Sequence, residues 1–235
     1  MSEAPHSHDT EKKLADVVRQ LVFGIGHGLI SILGLSVGVA SATVSPRTVA
    51  IAAAVGMLTG LATLVALQFL SANTQKQIYE HMIEEEKKEF AEDPNIEKGE
   101  MRAYYIEEGF TPDEADSFVN RLSLNKERWL KAHITHVLEF IPSKTGNPVR
   151  ESVVLGLSHL FGSAITLLPY LIFSDLNSAI YTSMTSASIT LLAVGGLKTR
   201  VTGGKWYFSA AEFFGFGMVA LVLGYVVGIF LKGLI

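Results

Sequence analysis

The stretch Ile78–Met101, IYEHMIEEEKKEFAEDPNIEKGEM, decides how the chain is read. It is densely charged, yet it lies between two blocks of sequence too apolar for water. The segment around it, residues 76–150, holds 16 of the 23 acidic residues and 11 of the 19 basic ones. Within it carboxylates recur at a three-residue step, Glu86 with Glu89 and then Glu97 with Glu100. Side chains three apart on a helix share a face and converge. Two such pairs in succession can surround one or two hard divalent cations with oxygen ligands. His133, His136 and Glu139 repeat the step and add imidazole nitrogen. The plainer reading of this spacing is a solvated face on which Glu86 and Glu89 pair with Lys87, Lys88 or Lys98.

Outside this segment the chain is greasy. Of 235 residues 49% are hydrophobic and only 18% charged, and the mean hydropathy is +0.33. A helix needs about 20 mostly apolar residues to cross a bilayer. Five stretches qualify, near 20–43, 49–70, 152–173, 179–197 and 207–231. The predicted fold is therefore all-α, a polytopic membrane protein with five transmembrane helices and a three-helix insert between spans two and three. Four regions follow: a tail over 1–19, spans one and two within 20–74, a helical metal-binding domain over 75–150, and spans three to five within 151–235.

Composition also excludes. A net charge of -4 with no basic, aromatic-interleaved patch argues against nucleic acid as a partner. The absence of cysteine removes disulfides, thiolate metal sites and cysteine nucleophiles. No phosphate-cradling Gly-x-x-x-x-Gly-Lys-Ser/Thr loop occurs, so nucleotide drive is not expected. Met1–Asp16 lacks the apolar core of a secretory signal, so the first span is expected to remain in the mature protein.

Local signals divide the insert. Nothing breaks the helix after Leu70, so span two is expected to continue into the insert as one long helix to about Glu92. A second helix is predicted over 96–108 and a third over 112–140, with a weak point at Asn125. Between them Gly109 stops one helix, and Thr111, Pro112 and Glu114 form the N-cap, first position and capping box of the next. Residues 141–148 read as a loop, and 1–10 as a disordered tail in which His6 and His8 have no assigned role. Short loops rich in Lys and Arg stay cytoplasmic. Lys198, Arg200 and Lys205 mark the loop after span four as inside, as Lys12, Lys13 and Arg19 do before span one. The N-terminus and the acidic insert are thus expected in the cytosol. Inside the spans the ionisable groups are few: His27 in span one, His159 in span three and Glu212 near the start of span five. An intramembrane ionisable group marks a candidate site. Against that, His159 reads as structural and Glu212 as interfacial. Met57, Met184 and Met218 read as packing, and Tyr104 and Tyr105 as core of the insert.

Gly24-Ile-Gly-His-Gly-Leu-Ile30, with Gly34 and Gly38 after it, resembles the first span of the vacuolar iron transporter family. Phe69-Leu-Ser-Ala-Asn-Thr-Gln75 is similar to the end of that family's second span. Residues 97–122 look like its cytoplasmic metal-binding domain, and 195–203 like the loop after its fourth span. The resemblance runs in order over nearly the whole chain from Arg19. It implies a homodimer of five-span protomers that exports Fe2+, and also Mn2+, from the cytosol by proton antiport. The membrane implied is the cell membrane in a prokaryote or a vacuole-type membrane in a eukaryote. The resemblance places metal ligands at Glu86, Glu89, Glu97, Glu100 and Glu139, with His136 where the family tends to have a methionine. Co2+ and Zn2+ fit the same donors. It implies a transport path lined by His27 and Gln68. Here the chain departs from the family: His27 stands for an aspartate, Leu64 for a methionine and Gln68 for a glutamate. Those departures favour, as the alternative, a membrane-tethered metal-binding or sensing protein that has lost iron transport. An enzyme is not expected, because a diiron oxidase needs paired Glu-x-x-His motifs that the insert lacks.

Overall fold

The computed structural model describes residues 6–136 and 147–234, with side chains from residue 14 onward. Among the described residues every regular element is a helix. In chain order they are α1 (His6–Ala42), α2 (Pro46–Glu92), α3 (Pro94–Glu107), α4 (Pro112–Ser123), α5 (Lys126–His136), α6 (Pro148–Ile172), α7 (Leu176–Thr202) and α8 (Trp206–Lys232). Of these, α1, α2, α6, α7 and α8 are long and apolar enough to cross a membrane. The chain divides into two compact units, one of Met1–Phe69 with Pro148–Ile235 and the other of Leu70–Asn147.

In the first unit α1 is the central element and packs against α6, α8 and α7. Its buried side chains Leu29, Leu33 and Val37 meet Ala187 and Leu191 of α7. Ile32 and Ala40 join Val49, Ala50 and Ala53 of α2 and Leu167 and Tyr170 of α6. Lipid tails supply no hydrophobic drive between helices, so close van der Waals packing of small residues does the joining. At the α1–α8 contact a Cβ added to Gly224 would fall on the Gly34 carbonyl, and one added to Gly228 on the Gly38 carbonyl. Not all span-five glycines serve this seam: Gly217 abuts Leu191, and Gly215 faces open space. Several hydroxyls of α7 donate to helix carbonyls. Ser183 Oγ donates to Thr166 O at 2.8 Å and Thr190 Oγ1 to Ser186 O at 2.8 Å. Apolar side chains such as Phe161, Tyr181, Phe216 and Phe230 stay exposed, as suits a lipid-facing surface.

The insert follows its caps. Asp93 accepts from Asn95 N and opens α3 with Pro94 in the first turn. Gly109, at φ 97°, ends that helix. Thr111 and Glu114 form the predicted reciprocal capping box at the start of α4. The predicted third helix is two helices, because Asn125 Oδ1 accepts from Arg128 N at 3.0 Å and caps a new start. Phe90, Met101, Tyr105, Ala115, Val119 and Trp129 make the core of this unit.

Four expectations need adjusting. Helix α1 begins at His6, ahead of the expected tail boundary, since no glycine or proline interrupts 6–23. Helix α7 continues through Lys198–Thr202, shortening the basic loop, until Gly203 ends it at φ 71°. Helix α3 begins at Pro94, two residues ahead of the expected start, and runs through Gly99. The loop expected over 141–148 falls mostly outside the described residues, and its last residue, Pro148, opens α6.

The glycine seam is directly testable. Gly228→Val forces the α1 and α8 backbones apart and should lower the melting temperature of the detergent-purified protein by roughly 4 °C or more. Gly215→Ala should leave it unchanged.

Candidate metal centre

Three helices of the insert deliver one polar side chain each to a shared interior point: Glu86 from α2, Glu97 from α3 and His133 from α5. Their exposures are 5%, 4% and 1%. Each sits four residues from a core anchor. Phe90 follows Glu86, Met101 follows Glu97, and Trp129 precedes His133. Positions four apart on a helix share a face, so the packing that buries the anchors carries the polar groups inward. The Phe90 ring lies 4.5 Å from Trp129 and 5.2 Å, edge-on, from His133.

One ligand-capable atom from each residue falls within 4.8 Å of the other two. His133 Nδ1 touches Glu86 Oε1. His133 Nε2 lies 3.3 Å from Glu97 Oε2 and 3.5 Å from Glu100 Oε2. None of these approaches is aligned as a hydrogen bond: Glu86 Oε1, Glu97 Oε2 and both ring nitrogens are buried without a hydrogen-bond partner. A neutral imidazole carries one N–H, so it can satisfy a carboxylate on one side only. On the other side a further proton can come only from a carboxyl in its acid form.

Burial sets the electrostatics. It raises Glu97 to about 7, opposed by His133 and reinforced by the Glu86 and Glu100 carboxylates. It also raises Glu86, opposed by the contact with Glu97 and reinforced by Glu89 and Glu100. Burial lowers His133, while the Glu97, Glu100 and Glu89 carboxylates pull the other way. A neutral imidazole with an open lone pair beside carboxyls is a donor set for a divalent transition ion. Nε2, facing two acids, is the more electronegative side. Glu86, on the Nδ1 side, can orient the ring and still offer its second oxygen.

Of the sequence-derived ligands, the structure brings Glu86 and Glu97 together in the interior. Glu100 reaches the rim with its side chain about half exposed, and Glu89 is exposed but acts electrostatically on both Glu86 and His133. The solvated-face reading fails for Glu86, which is buried, and fits Glu89, which is exposed. Lys98 instead lies over the Trp129 ring at 5.9 Å. His136 is exposed, with Nδ1 3.5 Å from Tyr104 Oη. His133 is the imidazole at the centre. His133 and His136 lie four and seven residues from Trp129, both at helix-face spacing, so spacing does not separate them. Only the packing does, burying His133 and leaving His136 exposed. Glu139 lies outside the described residues.

In the membrane-spanning unit, His27 Nδ1 lies 3.2 Å from His159 Nδ1. Gln68 Nε2 donates to Glu151 Oε2 at 3.0 Å. Glu151 was not singled out in the sequence, although it restores a carboxylate beside the position where Gln68 lacks one. Leu64 is half-buried. Glu212 pairs with Lys198 at 3.2 Å.

A pH dependence follows from Glu97. Below about pH 7 a cation must displace its proton, so the affinity of the purified protein for Co2+ should rise with pH and level off above 7. Glu97→Gln should flatten that rise. Because the folded pKa lies above the ordinary carboxylate value, the ion-free protein binds more protons folded than unfolded. Its stability should fall as pH rises from 4.5 towards 7, and added Co2+ should reverse the loss in thermal melts.

The sequence profile of the VIT family matches residues 18–229. The chain is 25% identical over 222 residues to vacuolar iron transporter 1 of Oryza sativa subsp. japonica, covering 94% of this chain and 88% of that protein. It is 25% identical over 215 residues to vacuolar iron transporter 1 of Arabidopsis thaliana, covering 91% and 86%. It is 22% identical over 191 residues to Protein CCC1 of Saccharomyces cerevisiae, covering 80% of this chain and 59% of that protein. With a family match over most of its length and five helices fit to cross a bilayer, this chain is an integral multi-pass membrane protein that belongs to the VIT family.

Proposed function

We propose that the protein transports a divalent metal ion, Fe2+ first and Mn2+ second, out of the cytosol in exchange for protons. The names of its relatives support iron as the cargo. The observation that carries the reading is the set of buried oxygens and imidazole nitrogens on Glu86, Glu97 and His133 with no hydrogen-bond partner. Glu89 and Glu100 draw the ion to the rim, and the buried three hold it. Glu139 joins the ligand set on family resemblance, and His133, in place of the exposed His136, supplies the imidazole. Mixed carboxylate and imidazole donors suit Fe2+, Mn2+, Co2+ and Zn2+ better than the all-oxygen preference of Mg2+ and Ca2+.

His27 and Gln68 line the transport path in this reading, and two copies of the chain form the working unit. In this reading the insert faces the cytosol and meets the ion first, an orientation that the loop charges support.

Flux through reconstituted full-length protein tests this. Proteoliposomes carrying a metal-quenched dye and a pH dye should report Fe2+ movement with proton counter-flow. Glu97→Gln combined with His133→Ala should cut flux at low micromolar Fe2+ at least tenfold. Tight Fe2+ binding by the wild type without flux would contradict transport and leave a tethered metal-binding protein.

A further inference from the structure

Helices α1, α2 and α6 build a second polar site. His159 is fully buried, and His27 beside it is half-buried. Their rings face each other through the Nδ1 atoms at 3.2 Å, with centroids 5.2 Å apart. On its far side His159 Nε2 lies 3.1 Å from the Met57 carbonyl oxygen. A carbonyl only accepts, so the proton on this edge belongs to His159 Nε2. Ser163 Oγ, at 3.4 Å, is a secondary neighbour of that nitrogen.

The rest follows by proton counting. With its proton on Nε2, neutral His159 has a lone pair on Nδ1. The 3.2 Å contact is then a hydrogen bond only if His27 donates from its own Nδ1. Neutral His27 therefore keeps its Nε2 lone pair free. The surrounding backbone is cut to hold this arrangement. A Cβ on Gly60 would lie 2.8 Å from His159 Nε2, and one on Gly28 would strike the His159 carbonyl. Among the described residues no carboxylate, lysine or arginine touches either ring. Phe23 comes from α1, the Met57 carbonyl and Gly60 from α2, and Ser163 from α6. From α8, Phe213 meets Gly26, and Glu212 is engaged by Lys198 of α7.

We propose that His27 and His159 form a site for a single proton inside the membrane-spanning unit, with His27 Nε2 as the accepting atom. A proton from water adds to that lone pair, no other covalent bond breaks, and the pair passes from neutral to a charge of +1. The cation is stabilised because His27 Nδ1–H then makes a charge-assisted hydrogen bond to His159. A second proton has no place, since the Nδ1 of His159 is already accepting. The site deepens the transport reading by naming the groups that carry the counter-ion, and only that use of the proton rests on transport.

The test is 15N NMR of histidine-labelled full-length protein in lipid nanodiscs, with the His27 signal assigned by its loss in His27→Gln. The expected result is an Nδ1–H tautomer for His27 and an Nε2–H tautomer for His159 at neutral pH, with acidification converting His27 alone to imidazolium. Finding His27 as the Nε2–H tautomer, or both rings becoming imidazolium, would overturn the site. In proteoliposomes His27→Gln should lower proton counter-flow at least tenfold. Unchanged counter-flow in a variant that still moves Fe2+ would overturn the proton's use as counter-ion. Absence of Fe2+ flux in the wild type would strike the transport reading while the NMR result stands on its own.

Discussion

Everything distinctive about the insert depends on one imbalance: an imidazole and two carboxyls are buried together, and four of their polar atoms have no hydrogen-bond partner. An unpartnered buried polar group costs on the order of 1–3 kcal/mol, and four such atoms gather around His133. A helical unit of this size can carry that cost only with a firm core, and the Phe90–Trp129–Met101 cluster supplies one. The same side chains that stabilise the fold hold the polar groups in an arrangement the fold alone would not favour. A divalent cation held by His133 Nε2 and the carboxylate oxygens, as proposed above, would relieve that imbalance.

The membrane-spanning unit answers the same physical demand differently. There, several polar groups are paired, Ser183 and Thr190 with helix carbonyls, Gln68 with Glu151 and His27 with His159, while Ser36 Oγ, Tyr170 Oη and Ser209 Oγ are buried singly without a hydrogen-bond partner. Contact between helices rests on glycine rather than on large apolar side chains, most clearly where Gly34 and Gly38 meet Gly224 and Gly228. The first unit scatters its unpartnered polar atoms, while the second gathers four such atoms on Glu86, Glu97 and His133.

Much of this was legible in the sequence because the signals were local. Five apolar runs marked five long helices, and Thr111-Pro112-Asp113-Glu114 marked a helix start to the residue. Other features were not local. Whether Glu86 faces water or the interior depends on Phe90 meeting Trp129, some 40 residues away, and no spacing rule contains that contact. His133 and His136 both stand at helix-face spacing from Trp129, and only the packing, which buries His133 and leaves His136 exposed, tells them apart. His159 read as structural while considered alone. Only its apposition to His27 and the Met57 carbonyl gives it a partner and a tautomer. The break at Asn125 was visible as a weak point, and the side-chain cap on Arg128 N made it a true helix boundary.

The central claim is that Glu86, Glu97 and His133 enclose a divalent cation. Anomalous diffraction from crystals of the full-length protein soaked in Co2+ tests it most directly. The account predicts a peak about 2.0–2.2 Å from His133 Nε2 and from a Glu97 oxygen, with Glu86 and Glu100 closing around it. A peak elsewhere, with these side chains hydrogen-bonded to one another or to water, would contradict it.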